Sequence, residues 1–140
     1  MRIVLDTNVF ISGVFFSGPP YQILKAWRDG KVQLVISHQI LDEYQRVGKN
    51  LAEQFRGVNL GPIIELLTVK TEIIQAPSLP EPVCDDPDDD KFLACALASK
   101  GKLIISGDKH LLQASGYRGV EVVRPRKFVE EYLGKLRASP

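Results

Sequence analysis

Residues 2–6, RIVLD, carry the reading from which the rest of the fold follows. Ile3, Val4 and Leu5 are consecutive apolar residues, too few for a helix, and read as a short buried strand ended by Asp6. Downstream, Gly18-Pro19-Pro20 breaks the chain, and Pro20 suits the first turn of a helix. Ile23, Leu24 and Trp27 repeat at helical spacing until Asp29-Gly30. Val32 to Ile36 reads as a second strand. Ser37 is a good N-cap for a helix striped by Ile40, Leu41, Tyr44 and Val47 and stopped at Gly48. The span from Asn50 to Gly61 is ambiguous between a short helix and a loop, Pro62 to Lys70 reads as helix, and Ile73-Ile74 as a short strand. Ala76 to Pro87 (APSLPEPVCDDP) is a proline-rich loop. Asp88 to Lys100 is helical, with acids at its start, where the helix dipole favours them. Leu103 to Ile105 is a strand, followed by Asp108 and a short helix around Leu111-Leu112. Val120 to Val123 is a strand and Pro125 to Leu136 a final helix.

Strands alternating with helices predict a three-layer α/β/α fold around a central, mostly parallel sheet of about five strands. The 140 residues suit a single domain spanning 1–140. A composition that is 44% hydrophobic and 25% charged excludes a disordered chain. The net charge of +1 argues against a strongly basic, nonspecific nucleic-acid binder. Cys84 and Cys95 form neither a zinc pattern nor a disulfide framework, and Cys95 reads as a small buried thiol. No apolar run is long enough to cross a membrane or to serve as a signal peptide, so the expectation is a cytoplasmic protein without a membrane partner.

In open parallel sheets, sites form beyond the carboxyl ends of the strands. Asp6 follows the first strand and Asp108 the fourth. Each has an ordinary structural alternative: an Asx-type cap for Asp6 and a turn residue for Asp108. On the helix after Ser37, Asp42 groups with the polar face, where Arg46 at i+4 can pair with it. Glu43 borders the apolar face, three residues after Ile40 and four before Val47, so its carboxylate turns toward the body of the protein. The run from Asp85 to Asp90 holds five aspartates. N-capping by Asp88 and favourable dipole contacts account for two or three of them. Crowding five like charges calls for cations or raised pKa values. An EF-hand loop does not fit, because the sixth position is not Gly and the twelfth is not Glu. Lys91 is expected to face outward, and the apolar set Phe92, Leu93, Ala96 and Leu97 extends back to both Asp89 and Asp90 without separating them.

Gathering such acids at one sheet edge without counter-charge is very costly. A divalent metal relieves that cost, and an all-oxygen donor set fits Mg²⁺ or Mn²⁺ better than Zn²⁺. Acid-only sites of this type act on phosphates.

Four segments, IVLDTNVFISG (3–13), VISHQILDEYQRV (35–47), DPDDDKFLACALA (86–98) and LIISGDKHLL (103–112), occur in this order over most of the chain. In this the sequence resembles PIN-domain proteins, in particular small prokaryotic toxin components of toxin–antitoxin systems (VapC-like ribonucleases). The resemblance implies a metal-dependent endoribonuclease with Asp6, Glu43, Asp90 and Asp108 as catalytic and metal-binding acids. Thr7, Asn8, Ser106, Asp86 and Asp89 are implied as secondary residues. It also implies an RNA substrate, a protein antitoxin and a homodimer. Similar sequences often carry Asp where this chain has His110, which weakens any ligand role there. The alternative is a non-catalytic PIN-like RNA-binding or scaffold module, which would be marked by a lost carboxylate; all four are present. A haloacid-dehalogenase phosphatase would need an acid at Asn8, and a receiver domain an acidic pair near the first strand. Arg46, Lys49, Arg56, Lys109, Arg118, Arg124, Arg126 and Lys127 are candidates for phosphate contacts.

Overall fold

A computed structural model describes residues 1–55 and 57–134. Five strands form one sheet: β1 (Arg2–Leu5), β2 (Gln33–Ser37), β3 (Thr71–Ile74), β4 (Leu103–Ile105) and β5 (Glu121–Val123). Their spatial order is β3-β2-β1-β4-β5, and every pairing is parallel. Side chains on a strand alternate between faces. Ile3, Val4 and Leu5 are all buried, as are Leu34 through Ser37 and Leu103 through Ile105, so both faces of the sheet are covered. This is the three-layer α/β/α architecture expected from the sequence.

The helices are α1 (Thr7–Phe15), α2 (Pro19–Arg28), α3 (His38–Gln54), α4 (Gly61–Lys70), α5 (Asp90–Ser99), α6 (Lys109–Gln113) and α7 (Pro125–Lys127). The last of these continues in a wider π-type turn over Phe128–Leu133. The expected end of that helix at Leu136 lies outside the described residues. Helix α5 lies across β1, β2 and β4, and α2 packs against α1 and α7.

Three local readings change. The segment TNVFISGVF gave no helical signal, yet it forms α1. It is apolar around most of its circumference, with Val9, Phe10, Ile11 and Gly13 buried, so no polar face marks its period. Gly48 does not stop α3, which runs on to Gln54. It is buried where a Cβ would stand 3.3 Å from Leu60 Cδ1 and 3.6 Å from Ile11 Cδ1, so the missing side chain admits α1 and the loop before α4. Finally, Asp88 does not cap α5. The Asp86 carboxylate accepts from Asp88 N at 3.0 Å and caps a 3-10 turn, Pro87–Asp89, that leads into the helix. Ser37 caps α3 as expected, accepting from Ile40 N at 3.3 Å.

The strand order reverses direction between β1 and β4. Connections on either side of such a point leave in opposite directions and open a crevice beyond the strand ends. Asp6 directly follows β1, and Ser106 directly follows β4.

Candidate active site

Asp6 is fixed by the strand below it. Its N–H donates to Ile105 O at 3.0 Å, extending the β1–β4 ladder by one residue. The side chain is 6% exposed, and its Oδ2 accepts from Ser106 Oγ at 2.7 Å. Ser106, fully buried, also accepts from Asp108 N at 2.9 Å. One hydroxyl therefore ties together the acids that follow two neighbouring strands. Asp108 in turn caps α6, its Oδ1 accepting from His110 N at 2.7 Å. Its turn role and its place beside Asp6 are compatible.

The structure separates Asp89 from Asp90, which sequence periodicity did not. Both oxygens of Asp90 face the proline-rich loop, accepting from Val83 N at 3.1 Å and Cys84 N at 2.8 Å. Asp90 is thus a clamp on that loop, with a backbone amide on each oxygen. Asp89 differs: its Oδ2 is buried without a hydrogen-bond partner among the described residues. Burial pushes the Asp89 carboxyl up to about 6, with the negative charges of Asp108, Asp86, Asp6 and Asp88 adding to the shift. The Asp6 carboxyl is raised too, first by burial and then by Asp108 and Glu43, against the pull of Ser106 and the Asn8 amide. The missed signal lay in helix phase: the 3-10 turn before α5 advances the chain by a different angle per residue from the helix that follows.

Glu43 also lies at this edge, but in a different state. Thr7 Oγ1 donates to its Oε2, and Lys91 Nζ pairs with its Oε1 at 2.9 Å. Arg46 approaches the same oxygen at 3.7 Å. Lys91 does not face outward as expected. Its side chain is only 15% exposed, and it pairs with Asp88 Oδ2 at 2.9 Å as well as with Glu43. Burial acts to lower the ammonium pKa, but Asp88 and Glu43 outweigh it and raise it. Asp88 is correspondingly held below the usual carboxylate range, chiefly by its hydrogen bond from Lys91. A groove of about 550 Å³ opens on this side, with Gln39, Arg46, Leu79, Pro82 and Lys91 among its walls.

In the sequence Tyr44 is one member of an apolar stripe. It stacks on Phe10 with ring centroids 4.2 Å apart, and its hydroxyl donates to Leu5 O at 2.5 Å. This anchors α3 to the end of β1 and so sets where Glu43 stands. Nothing in the sequence marked the hydroxyl. Asn8 is exposed, and Asp86 serves as the cap described above. The thiols of Cys84 and Cys95 are both buried and pushed up to about 12, so they remain protonated. Of the basic candidates, Arg46 lines the groove, while Lys49, Lys109, Arg118, Arg124, Arg126 and Lys127 are exposed. Arg56 lies outside the described residues. No helix among the described residues is long and apolar enough to cross a membrane.

The PIN domain family model matches residues 2–110, which include all of these acids. The chain belongs to the PIN-domain family. A protein of Methanocaldococcus jannaschii, itself named as uncharacterized, is 33% identical over 146 residues, covering 94% of this chain and 92% of that protein. PIN domains are generally nucleases, hence hydrolases, and typically use divalent metals. The donor set of this PIN domain suits such an ion: oxygen atoms only, two carboxyls raised by burial, and one buried oxygen without a partner. Among the described residues no three acidic, His or Cys side chains already stand at ligand spacing.

Proposed function

We propose that this PIN domain is a divalent-metal-dependent endoribonuclease that hydrolyses RNA phosphodiester bonds. The observation that carries the proposal is the Asp6–Asp89–Asp108 group at the strand-order reversal: Asp6 is buried, Asp89 is half-buried with an oxygen that has no partner among the described residues, and neighbouring carboxylates add to the raised pKa of both. A purely structural cluster would be expected to carry internal counter-charge, as Glu43 does through Lys91.

Asp6, Asp89 and Asp108 would hold Mg²⁺ or Mn²⁺. When bound, such an ion supplies charge neutralisation at the scissile phosphate and acidifies water. The chain's own residues do the rest. Ser106 fixes the Asp6 carboxylate and orients the Asp108 backbone. Thr7 and Lys91 hold Glu43 in one rotamer at the edge of the cluster, where its charge helps place an attacking water. Arg46, on the wall of the groove, is placed to meet backbone phosphates. In-line attack leaves a 5′-phosphate and a 3′-hydroxyl.

The resemblance to VapC-like ribonucleases extends the proposal to a cytoplasmic toxin with a protein antitoxin and a homodimeric state. It is the support for those features. The test is cleavage of a mixed panel of RNAs and single-stranded DNA in Mg²⁺ or Mn²⁺, with EDTA controls. RNA cleavage abolished by EDTA supports the proposal. Folded protein that binds RNA but cuts nothing, with or without metal, would favour a non-catalytic binding module instead.

A further inference from the structure

Lys91 is held unlike a surface lysine. Its ammonium meets Glu43 Oε1, Asp88 Oδ2 and Asp88 O, each at 2.9 Å, and lies 5.1 Å from the centroid of the Phe92 ring. Those partners come from α3 and from the 3-10 turn, so one cation bridges two elements at the acid edge. The other Glu43 oxygen is taken by Thr7. Glu43 therefore has a hydrogen-bond or ion-pair partner on each oxygen, whereas Asp89 keeps one oxygen without a partner among the described residues.

We propose that Lys91 is a built-in cation of this site, standing at Glu43 and Asp88 where a second divalent ion would otherwise bind, so that the domain takes one metal, at Asp6, Asp89 and Asp108. The inference rests on the metal-centre reading above. Two-metal phosphodiester sites need carboxylates on both sides of the substrate phosphate. Here one side is already neutralised by a fixed ammonium, which offers three N–H donors and a permanent charge but no exchangeable coordination. Lys91 acts as a positioning residue, setting the rotamer of Glu43 and the number of metal ions admitted.

The experiment is calorimetric titration of the full chain with Mn²⁺, with bound Mn²⁺ counted by electron paramagnetic resonance. The wild type is expected to bind one Mn²⁺ per chain and Lys91→Arg also one, while Lys91→Met gains a second equivalent at the vacated Glu43–Asp88 pair. Glu43→Gln, which keeps Lys91 in place, is expected to retain one Mn²⁺ with affinity changed less than about threefold, because Glu43 is not a ligand. Two equivalents in the wild type would overturn the inference and leave the metal-centre reading intact. So would a folded Lys91→Met that still binds one, or a loss of more than about tenfold in Glu43→Gln. Wild-type protein that binds no Mn²⁺ would overturn both.

Discussion

The two halves of the acid edge solve the same electrostatic problem in opposite ways. On the Glu43 side, each oxygen of Glu43 has a partner, and Lys91 supplies the compensating charge within the chain. On the Asp6–Asp89–Asp108 side there are hydrogen bonds from Ser106 and from backbone amides, but burial, and after it neighbouring negative charge, raises the Asp6 and Asp89 carboxyls. The first half is what a folded protein does with charges it must keep. The second is what it does where a ligand is meant to complete the site. A single helix start, Asp88-Asp89-Asp90-Lys91, serves both halves and the adjoining loop, because consecutive residues there point in different directions.

The contrast breaks most sharply at Asp6. Asp6→Asn removes a charge from the unbalanced half, and RNA cleavage should fall by about 10³-fold or more, on the order of 4 kcal/mol of transition-state stabilisation. Initial rates in Mn²⁺ would measure it. The fold should survive, since a neutral amide relieves repulsion there, and a melting curve in EDTA should show no loss.

Tyr44→Phe tests the scaffold shared by both halves. It deletes the hydroxyl that binds Leu5 O and leaves a buried carbonyl short of a donor. The expected cost is about 1–3 kcal/mol of stability, read by urea denaturation. Ser106→Ala should act more narrowly, lowering metal affinity or cleavage by about 10–100-fold while the protein stays folded, as is usual for a group that orients a metal ligand.

The smallest expected effect is in pH dependence. Asp89 titrates at about 6 in the folded chain against an ordinary value of 3.8. Between those values the folded state holds more protons than the unfolded state, so stability from this group rises as pH falls. Metal-free protein should therefore melt higher, relative to Asp89→Asn, at pH 5 than at pH 7.5, by about 1–3 °C once solvent screening of this half-buried group is allowed for. Saturating Mn²⁺ should remove the difference. The opposite slope would mean that Asp89 is already compensated, like Glu43.

The same physical distinction explains what could be read from sequence. Strands of three or four apolar residues, a serine cap and the positions of Asp6 and Asp108 after β1 and β4 depend on short-range chemistry, and they were legible. So was Glu43, because Ile40 and Val47 fix the phase of α3. Helix α1 was not, since a segment apolar on nearly every side has no period to detect. The inward turn of Lys91 is hidden for a related reason. A lysine among aspartates reads as solvated surface unless one knows that Glu43, 48 residues earlier in the chain, stands opposite it. The choice between Asp89 and Asp90 depended on a 3-10 turn whose phase the helical pattern does not carry, and on two loop amides that claim Asp90.

That last pair allows the most direct test. The measurement is the RNA cleavage rate of metal-saturated wild type, Asp89→Asn and Asp90→Asn, each shown to be folded. With Asp89 in the metal-binding half and Asp90 as a loop clamp, Asp89→Asn should lose about 10²-fold or more. Asp90→Asn should keep its rate within about tenfold while losing about 1–3 kcal/mol of stability. A folded Asp89→Asn that cleaves like wild type, beside an inactive Asp90→Asn, would contradict the account.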